Sequence, residues 1–161
     1  NPEHDNARKN GLWGAMMAGA WGTEWYFGYK HAHSDLTCQD FRSRDLFWEQ
    51  GKICLDFFKN NNIEYWNMNS NDTLISSDGD FVLADAGKSY VVFLKNGGES
   101  TLDLGSNKGT YNILWYNPRT GGKLQHGTIK TISHNGNGKP SLGEAPSQKN
   151  MDWVVYLNKI E

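Results

Sequence analysis

The chain has 161 residues, 37% of them hydrophobic and 21% charged, with seven each of Trp, Tyr and Phe. That aromatic content excludes wholesale disorder, and a formal net charge of −2 leaves no basic excess for a nucleic-acid partner. No apolar run reaches the roughly 18 residues needed to span a membrane as a helix.

The first residues are Asn1-Pro-Glu-His-Asp5, with no charged and apolar leader pattern. Asp5 or Asn6 is placed to cap a helix running to about Ala18. Leu12, Trp13, Met16 and Met17 follow helical spacing, and Gly14, Ala15, Ala18 and Gly19 between them suit close packing on a sheet. The aromatic-dense run Trp21–Tyr29 reads as a strand, with Thr23, Trp25 and Phe27 on one face and Glu24, Tyr26 and Gly28 on the other. A loop follows from Lys30 to about Leu36. Thr37-Cys-Gln-Asp40 has capping-box spacing. From Arg42 to Asn60 the set Leu46, Phe47, Ile53, Cys54, Phe57 and Phe58 makes a helical stripe, which Asn60-Asn-Asn62 ends.

A single strand between two helices has no partner for its backbone donors and cannot be a domain. Its natural host is a larger parallel α/β assembly in which helices cover the strands. Residues 1–66 therefore read as the last unit of such an assembly, and the polar stretch Asn67–Asp72 marks a boundary. Residues 67–161 read as all-β. Strands are expected at Asp80–Ala84, Ser89–Leu94, Ser100–Leu104, Tyr111–Tyr116, Thr128–Ser133 and Trp153–Leu157. The turn-rich segments Asp85–Lys88, Asn96–Gly98, Ser106–Gly109 and Asn117–Gly122 separate them. Strand spacing near ten residues suits a small antiparallel β-sandwich. The two cysteines, Cys38 and Cys54, are too few for a disulfide scaffold and are expected as buried free thiols.

Three stretches carry a resemblance: Tyr90–Leu104, Tyr111–Gly121 and Asp152–Leu157. Together they resemble the small C-terminal β-sandwich, named for collagen binding, that follows bacterial glycoside hydrolase barrels. Arg8, Leu12-Trp13-Gly14, Met17-Ala-Gly19, Gly22–Gly28 and Asp40–Asp45 resemble the end of the barrel in the same proteins. The resemblance implies an α/β plus all-β chain: the last helix–strand–helix unit of a (β/α)8 barrel at 1–66, then the sandwich at 67–161. Residues 6–18 would be the seventh barrel helix, 21–28 the eighth strand and 42–60 the eighth helix. Such barrels hydrolyse glycosidic bonds with two carboxylates at the C-terminal ends of strands. In related barrels these lie on strands four and seven, which would precede Asn1, so the main catalytic pair is expected outside this chain.

On that reading Glu24 would face the barrel mouth and bind sugar hydroxyls or tune a neighbouring carboxylate; the alternative is an ion-paired interior carboxylate. Tyr26 shares its face and would donate to a substrate hydroxyl, or pack in the core with its hydroxyl satisfied. Tyr29, Lys30, His31 and His33 would line the cleft from a loop, whose other reading is a solvated connection. His31-Ala-His33 lacks a further ligand at a telling spacing, so no metal is expected, and no cofactor is implied. Arg42, Arg44, Asp40 and Asp45 read as an ion-pair collar docking a helix or the sandwich. Trp115, Tyr116 and Arg119 read as core and turn, with a carbohydrate platform as the alternative. The implied substrate is an oligo- or polysaccharide of plant or algal origin, the implied partner an upstream barrel segment of the same protein, and the implied location secreted or periplasmic. A non-catalytic carbohydrate- or matrix-binding module is the competing function.

Overall fold

The computed structural model describes residues 4–24 and 45–161. The chain opens with a helical segment that is π-helical over Ala7–Trp13 and continues as α1 (Gly14–Met17). Arg8, Leu12, Trp13, Met16 and Met17 are all buried. The wider π turn, bonded i to i+5, stacks residues five apart, so Arg8 and Trp13 share the face that meets the sheet. The expected side-chain cap is not made. Asn6 forms no capping hydrogen bond, and the Asp5 carboxylate is engaged by Arg8 at 2.6 Å. The far end closes as a Schellman turn on Gly19 at φ +88: Gly19 N–H donates to Met16 O and Ala20 N–H to Ala15 O, both at 3.0 Å.

Trp21–Glu24, expected to begin a strand, form none. Aromatic content favours a strand only where a neighbouring strand takes up its backbone hydrogen bonds, and here the sheet lies elsewhere. Tyr26, Tyr29, His31 and His33 lie outside the described residues, as do Asp40, Arg42, Arg44 and Cys38.

The second helix, α2 (Asp45–Asn60), buries Gln50, Cys54, Phe57 and Phe58. Their spacing of four, three and one defines a single stripe. Leu46, Phe47 and Ile53, expected in the stripe, are only half-buried at its margin. α2 also ends on a Schellman turn, with Asn62 rather than glycine in the left-handed position at φ +51. Ile63 N–H donates to Phe58 O at 3.0 Å and Asn62 N–H to Lys59 O at 3.3 Å.

Six strands then form one antiparallel sheet: β1 (Asn69–Ser70), β2 (Phe81–Asp85), β3 (Ser89–Leu94), β4 (Gly109–Tyr116), β5 (Thr131–His134) and β6 (Trp153–Lys159). Their spatial order is β1-β2-β3-β6-β4-β5. The last strand is thus central, flanked by β3 (Val92 opposite Val155) and β4 (Trp115 opposite Val155). This explains why β3 and β6 read as continuous apolar runs: both of their faces are covered.

On one face Val82, Tyr90, Val92, Leu94, Tyr111, Ile113, Trp115, Trp153, Val155 and Leu157 pack under Ile75, Leu102, Leu104, Leu142 and Ala145. That covering layer is barely a sheet. Its three segments are joined by the bridges Ile75–Leu102 and Thr101–Ser141. Leu102 N–H donates to Pro140 O, and Asp103 N–H to Leu74 O. The expected strand Ser100–Leu104 is the middle segment of this layer, and the expected strand at 128–133 begins only at Thr131. The other face carries Leu83, Val91, Phe93, Tyr116 and Val154, and against it pack Leu12, Trp13, Met16 and Met17 of the first helical segment and Cys54, Phe57 and Phe58 of α2, together with Ile63 and Met68. Trp13 stacks on Phe93 with ring centroids 5.5 Å apart and 11° between planes, and meets Phe57 edge-on at 5.7 Å.

Candidate functional site

Two features stand out where the helices meet the sheet. The first is a buried ion cluster. Asp152, fully buried, precedes the central strand β6. Arg8, 2% exposed, grips it with two parallel hydrogen bonds, Nε to Oδ2 at 2.9 Å and Nη2 to Oδ1 at 3.0 Å. This fork geometry is the strongest that a guanidinium and a carboxylate form. Arg8 Nη1 reaches Asp5 Oδ1 at 2.6 Å. From the turn after β4, Arg119 Nη1 donates to Asp152 O at 2.5 Å and Oδ1 at 3.3 Å, and Nη2 donates to Gln148 Oε1 at 2.7 Å. The Arg119 guanidinium also lies 5.4 Å from the Trp153 ring centroid. Two cations thus face two carboxylates. Burial alone would lower the Arg8 pKa; the hydrogen bonds and charges of Asp152 and then Asp5 outweigh it and raise that pKa above its ordinary value. Near this cluster, the Tyr116 hydroxyl donates to Ile53 O at 2.8 Å, tying β4 to α2. Burial, with the Asp56 charge, pushes its pKa up to about 12.

The second feature is an aromatic cleft of about 570 Å³ between the first helical segment, α2 and the turn Tyr65–Asn67. Trp21, Leu55, Phe58, Tyr65 and Trp66 line it. Trp21 is 75% exposed, Leu55 63% and Trp66 58%. Tyr65 sits edge-on to Trp21 at 5.4 Å and to Trp66 at 5.5 Å. At the rim, Glu64 Oε2 accepts from Lys88 Nζ at 2.7 Å and from Asn67 Nδ2 at 3.3 Å.

Of the residues the sequence singles out for substrate, only Glu24 is described. It is exposed and three residues from Trp21, outside any strand. Trp115 is not a surface platform: it is fully buried and edge-on to Trp153 at 6.2 Å. Tyr116 is likewise buried, and Arg119 is spent on Asp152 and Gln148. Cys54 is a buried free thiol whose pKa burial raises. Among the described residues no group of three His, Cys, Asp or Glu side chains converges to hold a metal ion. Sequence reasoning left the pairing of Arg8 with Asp152 unseen, since 144 residues separate them. The signal was present as a charge on an otherwise apolar helix face.

No curated protein matches the chain. Among solved structures, a glycoside hydrolase family 5 protein from Bacteroides vulgatus aligns over 97% of this chain with a TM-score of 0.66 and 16% identity. A second structure, described as a glycoside hydrolase, aligns over 96% with the same score and identity. At that identity the likeness shows the fold. The chain spans little more than a third of each, 36% and 37% of their lengths. Residues 71–158, more than half of the chain, match the family described as "Putative collagen-binding domain of a collagenase", and the chain belongs to that family.

Proposed function

We propose that this chain is the C-terminal portion of a glycoside hydrolase acting on a plant or algal glycan. It supplies the closing unit of a (β/α)8 barrel and a β-domain that braces it. The observation that carries the reading is the buried Arg8–Asp152–Arg119 cluster, which ties the helical segment to the central strand. A binding module on a free linker has no need of such a joint, whereas a brace must hold the helices it supports. The fold likeness to two glycoside hydrolases supports the same reading. The main catalytic carboxylates belong to the rest of the polypeptide. Glu24, with Tyr26, Tyr29 and His31, contributes to the sugar-binding cleft, and the protein works outside the cytoplasm on its polymeric substrate.

The test is hydrolysis of a glycan panel by this chain and by the full product of its gene. Activity in the longer product alone is expected, with a Glu24→Gln variant raising KM. The family's description favours a second reading, a matrix-binding module. No hydrolysis by either form, together with saturable binding of this chain to collagen or glycan, would establish it.

A further inference from the structure

We propose that Asn137 is a self-modifying site: the backbone nitrogen of Gly138 closes on its side-chain amide, and the residue ends as isoaspartate or aspartate, lengthening the link between β5 and the roof of the sandwich in the isoaspartyl form. The chemistry is the chain's own and does not depend on what the whole polypeptide hydrolyses. The Gly138 nitrogen, its proton given up to hydroxide, attacks Asn137 Cγ. A nitrogen–carbon bond forms, the bond from Cγ to the amide nitrogen breaks, and ammonia leaves with a proton from water. Water then opens the five-membered succinimide. Opening at Cγ gives aspartate, and opening at the main-chain carbonyl gives isoaspartate, whose main chain runs through Cγ. One water enters, one ammonia leaves, and nothing is oxidised or reduced. Glycine on the following position is what the attack needs, because it has no Cβ to block the approach.

Asn-Gly occurs at 10–11, 96–97, 135–136 and 137–138, and the fold ranks the four. Asn10 lies inside the π-helical turn, with its amide bonded to Asn6 and to Lys95. Gly97 N–H donates to Leu94 O at 3.3 Å, and Gly97 is pressed against Lys149 O. Asn135 Oδ1 is held by the Asn137 N–H at 3.1 Å, and Gly136 sits against Ser106 O and the Lys108 side chain. At the fourth pair nothing is held. Asn137 and Gly138 are both exposed. Among the described residues neither the Asn137 amide group nor the Gly138 N–H has a hydrogen-bond partner, and a Cβ on Gly138 would meet nothing within 4 Å. Electrophile and nucleophile are therefore free to turn toward each other. The place matters because His134, buried at the end of β5, lies with Nδ1 2.8 Å from Asn107 O and Nε2 3.3 Å from Gly138 O. Just beyond, Pro140 O accepts from Leu102 N–H and Ser141 bridges Thr101 in the roof. Isoaspartate at 137 adds one main-chain atom to this short tether.

Incubating the full gene product at mildly alkaline pH, native and in urea, and mapping its peptides by mass and by isoaspartyl-specific methylation tests this. In the native protein Asn137 is expected to convert several-fold faster than Asn10, Asn96 or Asn135, whereas in urea the four should convert at similar rates. An Asn137→Gln variant should lose the fast conversion and melt like the parent. Faster native conversion at any of the other three overturns the proposal, as does an Asn137 that stays intact while native and converts in urea. A preference for Asn137 that persists unchanged in urea overturns it too, because sequence rather than fold would then set the rate. Asn137→Asp carries the new charge without the added atom, so the isoaspartyl product should melt below both the parent and Asn137→Asp. Equal midpoints for that product and Asn137→Asp would overturn the lengthened tether.

Discussion

Asp152 and its two arginines show how a charge survives in this core. The carboxylate is fully buried, and it is tolerated because its oxygens take hydrogen bonds from Arg8 and Arg119. Removing Asp152 strips the buried Arg8 of its fork partner and leaves it Asp5 alone, which costs about 3–5 kcal/mol. Asp152→Ala should lower the urea midpoint accordingly. The joint variant Arg8→Met/Asp152→Leu should lose less than the sum of the single changes, as a double-mutant cycle will read. Asp80 presents the opposite balance. Burial raises its pKa, and the bonds from Ser77 and the Lys95 N–H offset this only in part. A carboxyl whose folded pKa lies above its unfolded value binds its proton more tightly when folded. Its charge therefore penalises folding above that raised pKa, and the penalty is relieved as pH falls through it. Urea unfolding over a pH series should show the native protein gaining stability relative to Asp80→Asn toward acid pH. A constant gap would mean that the folded environment leaves Asp80 unshifted.

The helices end on the same hydrogen-bond motif built from different residues. Gly19 and Asn62 both occupy left-handed backbone. A Cβ at Gly19 would meet nothing within 4 Å, so Gly19→Ala isolates the backbone cost, about 1 kcal/mol. Gly97, also left-handed at φ +67, is a different case. Its Cβ would sit 2.2 Å from Lys149 O and 2.4 Å from Met151 O, both immobile backbone atoms. The turn after β3 thus presses on the loop before β6, where Gly98 N–H donates to Lys149 O at 2.8 Å. Gly97→Ala should therefore destabilise the fold by clearly more than Gly19→Ala. Thermal denaturation of the two variants side by side checks the order.

Across the whole molecule, one sheet serves two cores. Its first face is roofed by segments that barely pair, so the sandwich has one complete layer and one layer held mainly by packing of Ile75, Leu102 and Leu142. Its second face is covered by the helices, with Trp13 at the centre of the contact between Phe57, Phe58 and Phe93. Trp13→Ala should cost about 3–5 kcal/mol. Because Trp13 joins helix to sheet, the loss should appear first as protease cutting in residues 4–24, with β3 and β6 still protected. Simultaneous exposure of helix and sheet would mean that the two cores unfold as one unit.

The local patterns alone determined most of the elements. The strand at Ser89–Leu94 coincides with the expected bounds. The helix ending at Asn60 and the turn chemistry between strands were also legible, because period, propensity and turn residues are properties of neighbours in sequence. Fully apolar runs such as Val91-Val-Phe-Leu94 signalled strands covered on both faces, but not what covers them. The tertiary structure decided the rest. It inserted β6 between β3 and β4, reduced Ser100–Leu104 to bridges, left Trp21–Glu24 without a ladder, and paired Arg8 with Asp152 across 144 residues. It also took Trp115 inside and left Trp21 and Trp66 open. Sequence spacing carries no information on which distant segments meet. That choice follows from burying the most apolar surface while leaving the fewest polar groups unpaired.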